Sequence, residues 1–181
     1  MQKDSGMRKL ELKRHLVGQI NIPDGVVDIT DPCYDDDVWC RLNNIKVVPG
    51  TYNCYAYMGV DRDWGNRCWI AQLVIADGPY DEIAEDRICS GRSWRTIGSI
   101  GVDAGMAGFF NHKPNFNDKE WSEFCDNVFS NEGEVHGYID GFSEDKKSKQ
   151  GFWTDSGIGD GCYTVHAIRE NRKIIALEIR F

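Results

Sequence analysis

Three short stretches of the chain place aspartate beside glycine or proline, and their residue types are those that could do chemistry. They are VDITDPCYDD at 27–36, GVDAGMAGFF at 101–110 and TDSGIGDGCY at 154–163. Glycine lets the backbone approach a ligand closely, and aspartate supplies a charge that binds a cation or acts as a base. If the three loops lie at one end of a sheet, their carboxylates converge; the candidates are Asp31, Asp103, Asp155 and Asp160.

Convergent carboxylates would indicate a hydrolase or nuclease that depends on Mg²⁺ or Mn²⁺, because these ions prefer hard oxygen ligands. The same residue pairs are also common in turns, because aspartate accepts hydrogen bonds from the backbone that follows it. GIGDG lacks the Lys-Ser/Thr pair of a phosphate-binding loop. DITDPCYDDD lacks the glycine and the final glutamate of an EF-hand calcium loop.

Cysteine and histidine are weaker candidates for chemistry. The seven cysteines include no CxxC pair, and the four histidines show no paired metal-ligand spacing. Cys33 lies in a predicted loop, but the surrounding aspartates would raise the pKa of its thiol and weaken it as a nucleophile. His166 lies in the middle of a predicted strand, which favours a packed or surface histidine over a base.

Aromatic and arginine side chains around one predicted hairpin form a second kind of candidate site. Arginine interleaved with aromatic residues is typical of stacking platforms for bases and of protein-binding hot spots. Core packing is the alternative, because the alternation of a strand places aromatic residues on both faces of this hairpin. The candidate binding surface consists of Tyr55, Tyr57, Trp64, Arg67 and Trp69.

The charge of the chain constrains its partners. With 21 basic and 29 acidic residues the net charge is −8, which argues against nonspecific nucleic-acid binding. Residues 24–37 are acidic and the first 17 residues are basic, which is typical of solvated surface. For the acidic run the alternative is a cation site or a docking face for a basic partner. Because the N-terminus shows no apolar h-region and no apolar run is long enough to span a membrane, we expect a cytoplasmic protein with reduced thiols.

The scaffold that positions these residues is predicted to be mainly β. Alternation predicts a hairpin over 51–76, a second hairpin from CYTVHAI and KIIALEIRF, and a short strand in EVHGYIDGF. KLELKRHLVGQINI is predicted to be an edge strand, with a short helix as the alternative. One clear helix is predicted in NFNDKEWSEFCDNVF, whereas residues 77–100 carry mixed signals. We therefore expect an α+β, mainly β fold: an antiparallel sandwich or open barrel with one or two helices packed on it. A flexible segment, 1–7, precedes this single domain, 8–181.

Four motifs, in their order along the chain, carry a resemblance to a family. DPCY, PGTY, GVDAG and GDGCYTV together resemble domain-of-unknown-function family 4241, over about residues 26–181. In the family pattern glycine precedes the tyrosine of the last motif, whereas this chain has Cys162 there. The resemblance implies an intracellular accessory protein, often encoded by a bacteriophage, and it implies no reaction or catalytic residue.

The sequence thus favours a noncatalytic cytosolic accessory protein that binds a host protein or a small ligand, with interference in a host defence as one role. No cofactor is expected in that case, nor a specific nucleic acid or a membrane as partner. Two alternatives stay open. One is the hydrolase or nuclease with a divalent cation, and the other is a structural component of a homo-oligomeric assembly that uses the basic N-terminal segment as an arm.

Overall fold

The computed structural model describes residues 11–34, 38–90, 93–110, 136–140 and 149–181. Within these ranges the chain forms eleven strands and one helix. The strands are β1 (Lys13–Ile22), β2 (Val26–Thr30), β3 (Leu42–Lys46), β4 (Gly50–Asp61), β5 (Gly65–Ile75), β6 (Arg95–Val102), β7 (Met106–Phe110), β8 (His136–Asp140), β9 (Lys149–Asp155), β10 (Gly161–Glu170) and β11 (Lys173–Arg180). The helix is α1 (Tyr80–Ser90).

The strands form two antiparallel sheets. Sheet A has six strands in the order β1-β4-β5-β11-β10-β6, and sheet B has five in the order β3-β2-β7-β9-β8. Among the described strands the chain passes between the sheets at the connections β1–β2, β3–β4, β6–β7 and β9–β10, and the last two are only three and five residues long. These two crossings hold one end of the sandwich together and become important for the candidate site.

Turn chemistry explains the two hairpins of sheet A. Between β4 and β5, the Asp61 side chain accepts hydrogen bonds from the amides of Asp63 (2.8 Å) and Trp64 (3.1 Å), and Gly65 adopts a positive φ of 73°. Between β10 and β11, Asn171 and Arg172 both have positive φ, as a two-residue hairpin turn of the primed type requires. Each turn fixes the register of the strands that it joins.

The core lies between the two sheets. Its fully buried side chains come from both, including Tyr52, Leu73 and Leu177 of sheet A and Phe109 and Phe152 of sheet B. The rings of Phe109 and Phe152 stack with centroids 6.4 Å apart across the β7–β9 pair. Burial of such large apolar side chains is the main force that holds the sheets face to face.

Helix α1 packs on the other face of sheet A, which we call the helix face. The Asn53 amide donates to the Asp81 carboxylate over 2.7 Å, and the Arg14 guanidinium lies 3.3 Å from the Glu85 carboxylate. Asp81 and Glu82 fall in the first turn, where negative charge opposes the helix dipole favourably. Ala84 is buried against the sheet.

The predicted fold class is confirmed: the chain is mainly antiparallel β in two sheets with a single short helix in the described part. Both predicted hairpins and the first strand are present. Helix α1 falls in the stretch whose signals were mixed. The helix predicted from NFNDKEWSEFCDNVF and the segment 1–7 lie outside the described residues. No helix of the described part is long and apolar enough to cross a membrane.

Candidate functional site

The three aspartate-containing stretches do meet at one end of the sandwich, through their main chains. β6 ends beside the start of β10, with Val102 opposite Gly161, and β7 begins beside the end of β9, with Met106 opposite Asp155. The amide of Ser156 donates to the carbonyl of Gly105 over 3.0 Å, so the two crossings are hydrogen-bonded to each other. The loops thus lie at one end of the sandwich, which is the condition on which convergence of their carboxylates depends.

The Asp31 carboxylate is fully engaged by backbone donors. One oxygen accepts from the amides of Asp103 (2.9 Å) and Ala104 (2.7 Å), and the other accepts from the amide of Cys33 (2.8 Å). Asp31 is completely buried. Burial raises the pKa of this carboxyl group, while the three backbone hydrogen bonds oppose the shift. Asp31 thus ties the end of β2 to the β6–β7 crossing.

Asp155 has a similar role on the other side of the junction. Its carboxylate accepts from the amide of Cys68 in β5 (2.8 Å) and from the Arg67 guanidinium (3.1 Å). Asp103 and Asp160 are instead exposed. Two of the four predicted metal ligands are therefore already bound by protein donors. No group of three or more His, Cys, Asp or Glu residues in the described ranges is arranged to hold a metal ion.

The burial of Asp155 has a consequence for pH dependence. Burial raises its pKa to about 6, although the Cys68 amide and Arg67 oppose the shift. The pKa of an aspartate in the unfolded chain is about 3.9. Between about pH 6 and pH 4, Asp155 is therefore protonated in the folded protein but ionised in the unfolded chain. Ionising Asp155 therefore costs stability above this window, and the protein becomes more stable as the pH falls through it.

We expect Asp155 to contribute about 1 kcal/mol of unfolding free energy to the difference between pH 5 and pH 7.5. Urea denaturation of the wild type and of Asp155→Asn at both pH values measures this contribution. The asparagine variant keeps an acceptor for the Cys68 amide but cannot ionise, so its gain at pH 5 is smaller. Equal pH dependence in the two proteins would contradict the assignment.

The other residues of the four motifs also build turns. The Tyr163 hydroxyl of GDGCYTV lies 2.6 Å from the carbonyl oxygen of Gly159 and 3.0 Å from that of Ser156, which closes the β9–β10 crossing. The Tyr52 hydroxyl of PGTY donates to the carbonyl of Val48 over 2.5 Å. Together with Asp31 of DPCY and the amides of GVDAG, these contacts make the motifs determinants of the fold.

The predicted aromatic surface is not one exposed platform. Tyr55 and Tyr57 are buried, and the Arg14 guanidinium covers the Tyr55 ring at 3.5 Å from its centroid. Trp69 is half-buried and donates its indole N–H to the carbonyl of Gly59 over 3.2 Å. Arg67 is paired with Asp155, and the Trp64 side chain keeps 53% of its surface exposed. Strand alternation alone does not show what covers a face, so the sequence does not reveal that the two tyrosines are buried.

A line of polar side chains crosses the helix face of sheet A, and we call it the polar row. It runs over five neighbouring strands, each residue paired with the next across the strands. Side chains of directly opposite residues project to the same face. The polar row consists of Tyr55, Gln72, Glu178, His166 and Thr96.

Hydrogen bonds join the centre of the polar row. The Gln72 amide nitrogen donates to one oxygen of Glu178 (3.0 Å), and the Arg180 Nε–H donates to the other (2.5 Å). The His166 ring nitrogens lie 3.2 Å from the Thr96 hydroxyl and 3.1 Å from the Thr164 hydroxyl. Gln72 and Glu178 have no exposed surface, whereas Thr164 is exposed and the Arg180 side chain is 37% exposed. The network thus has a buried floor and an exposed rim.

Four polar atoms of sheet A on the helix face are buried without a hydrogen-bond partner among the described residues. They are Arg14 Nε, Tyr57 Oη, Gln72 Oε1 and Arg180 Nη2, and Asp81 Oδ1 of α1 is a further such atom, 3.7 Å from Arg14 Nη2. Tyr57 lies on the same face as Tyr55, two residues along β4, and is near enough to Glu178 for its charge to affect the tyrosine. A buried polar group without a partner costs about 1–3 kcal/mol, so four on one face require an explanation.

Burial shifts the pKa values of the titratable groups in this network. Burial raises the pKa of Glu178, with Arg180 and Gln72 opposing the shift. Burial and the charge of Arg180 lower the pKa of His166. Burial also raises the pKa of Tyr57, and it raises that of Tyr55 to about 12. Perturbed pKa values that cluster around unpartnered polar atoms are typical of functional sites.

Sequence reasoning missed Gln72, Glu178 and Arg180. A signal was present, because IAQLVI and IIALEI each place one long polar residue inside a run of apolar residues. A polar side chain in a central strand must find a partner or a ligand. Comparison of the chain with protein-family models, with characterised proteins and with solved structures finds no match. Membership of family 4241 stays a prediction.

Proposed function

We propose that this protein binds a small polar molecule at the polar row, on the helix face of sheet A. The observation that carries the proposal is the set of four buried, unpartnered polar atoms around Gln72 and Glu178. Binding sites are usually apolar surroundings with a few convergent polar groups, and Tyr55, Tyr57 and Ile70 supply the apolar part here. Of the two partners expected from sequence, a host protein or a small ligand, this arrangement favours the small ligand.

The exposed rim provides the approach for such a molecule. Thr164 and Thr96 are exposed, and His166 is half-buried between their hydroxyl groups. Arg180 borders this approach, since its side chain is partly exposed while its Nη2 atom is buried without a partner. A ligand that enters beside this guanidinium would reach Gln72 and Tyr57.

As part of the same proposal we place the protein in a reducing cytoplasm, as a noncatalytic accessory protein. Cys68 is an inert packing group in any compartment, because burial raises the pKa of its thiol to about 12. Cys162 is an exposed thiol, which an oxidising compartment would leave open to unwanted disulfide exchange. A phage-encoded role in host interference rests on the family resemblance alone.

A thermal-shift experiment with the small-molecule fraction of the expressing cells tests the proposal. Ligand that binds only the folded state raises the Tm of the wild type, and Gln72→Met should remove most of that shift. The control is Gln19→Met, which makes the same change at an exposed position of β1, outside the polar row. The proposal fails if the fraction shifts none of the proteins or shifts all three equally.

Tyr57→Phe tests the energetic side of the proposal. Because the Tyr57 hydroxyl is buried without a partner among the described residues, removing it should raise the unfolding free energy by about 1 kcal/mol in the ligand-free protein. The same variant should bind ligand more weakly, as expected where a site sacrifices stability for function. Tyr52→Phe is the matched control, since its hydroxyl donates to Val48 and its loss should destabilise the protein. Chemical denaturation measures the unfolding free energies of the two variants. Destabilisation by Tyr57→Phe would show that the Tyr57 hydroxyl has a partner.

A further inference from the structure

The unpartnered atoms at the centre of the polar row differ in hydrogen-bonding type. The nitrogen of the Gln72 side-chain amide donates to Glu178, which fixes the orientation of the amide. The atom left without a partner is therefore the oxygen Oε1, a hydrogen-bond acceptor. The Arg180 guanidinium uses Nε on the same carboxylate, so its remaining Nη2 atom is a donor. The Glu178 carboxylate therefore orients two unpartnered atoms: the acceptor Gln72 Oε1 and the donor Arg180 Nη2.

This pairing discriminates among the charge classes of ligand. A carboxylate or phosphate offers only acceptors in its ionised form, and these would face Gln72 Oε1 and the Glu178 carboxylate. An ammonium or amidinium group offers only donors, and these would face Arg180 Nη2 and Arg14 Nε. A neutral amide group offers one donor and one acceptor, the two hydrogen-bonding types that Gln72 Oε1 and Arg180 Nη2 lack.

We propose that the ligand presents a neutral amide edge, as a primary carboxamide, a lactam or a nucleobase does, to Gln72 and Arg180. The ligand N–H donates to Gln72 Oε1, and its carbonyl oxygen accepts from Arg180 Nη2. The Tyr57 hydroxyl supplies a further donor or acceptor at the buried end. This assignment rests on the proposed function, because it names the chemistry of the molecule that the polar row would hold.

The charges around the polar row agree with a neutral ligand. Arg180 is already neutralised by Glu178, and Arg14 by Asp81 and Glu85. An anion or a cation that bound here would lose its water, and the charged residues described around the polar row are already paired with one another. Burying a charge without a partner costs much free energy. A neutral amide avoids that cost.

Benzamide, benzoate and benzamidinium are the probes that separate these classes, because they share one ring and differ only in their polar groups. Ligand-observed saturation-transfer NMR, with titration to obtain Kd, measures their binding to the full chain. We expect benzamide to bind at least about tenfold more tightly than either charged probe, as sites built on paired donors and acceptors discriminate. Gln72→Met should abolish this preference, and Gln19→Met should retain it.

The outcomes distinguish this inference from the proposed function. Equal or tighter binding of benzoate or benzamidinium overturns the amide assignment, and so does benzamide binding that Gln72→Met leaves unchanged. If no probe binds while the cell-derived fraction still gives a thermal shift that depends on Gln72, the ligand class is wrong and the proposed function stands. If that shift is also missing, both are wrong. Should Gln72→Met fail to fold, Tyr57→Phe replaces it, with at least about a threefold loss of benzamide affinity expected.

Discussion

Asp31→Ala is expected to lower the free energy of unfolding by about 4 kcal/mol, one of the two largest effects expected of a single substitution here. The change removes the common acceptor of three backbone amides, those of Cys33, Asp103 and Ala104. Hydrogen bonds to a charged group contribute about 1.5–3 kcal/mol each, and buried donors left without an acceptor add their desolvation cost. Partial access of water to the two loops, where Cys33 and Ala104 are half-buried, lowers the sum to the value given.

Asp103→Ala is the matched control, because it removes a carboxylate from the same junction at an exposed position. Its effect should stay within about 0.5 kcal/mol. Urea denaturation of both variants gives the comparison. Similar losses for the two variants would show that the carboxylates act through charge, whereas a large loss for Asp31→Ala alone assigns the effect to its three hydrogen bonds.

Gly108→Ala is the second substitution with a large expected effect. Gly108 lies in β7 between Thr30 of β2 and Trp153 of β9. A methyl group at this position would lie 2.2 Å from the carbonyl oxygen of Phe152 and 2.9 Å from the Cα atom of Trp153. Both are backbone atoms, so strands β7 and β9 would have to separate. We expect a loss of about 3 kcal/mol or more, or an insoluble protein.

Gly105→Ala in the same segment is its control. Gly105 has a φ of 67°, and a methyl group there would have no neighbouring atom within 4 Å. Its cost is therefore limited to the left-handed backbone conformation, about 1–2 kcal/mol. Thermal and urea denaturation of both variants measure the difference. A loss for Gly105→Ala as large as that for Gly108→Ala would contradict the close approach of β7 and β9.

Local patterns predicted much of the fold. Alternation in 51–76 and in the last two strands was sufficient for both hairpins, because strands joined by a short turn pair with each other. Helix α1 was missed as a definite element because its apolar positions are few and it depends on contacts with β1 and β4. Those contacts join residues that are far apart in sequence.

The candidate site was less accessible to sequence reasoning for the same reason. The sequence leaves open whether the three aspartate loops meet, and it does not predict the use of the Asp31 carboxylate, because its donors at 103 and 104 lie about seventy residues away. Gln72 and Glu178 are 106 residues apart and become neighbours only because β11 lies beside β5. Strand order decides which polar residues meet, and no local periodicity encodes it.

The position of β11 in sheet A also bears on how the protein is made. β11 comes after the ten other described strands along the chain, yet it lies between β5 and β10 in the centre of the sheet. During synthesis on the ribosome, β1, β4 and β5 can associate early, but the hydrogen-bonding edge of β5 stays open until β11 emerges. Such an edge pairs readily with other chains, so nascent protein should depend on chaperones that shield strand edges until translation has passed residue 180.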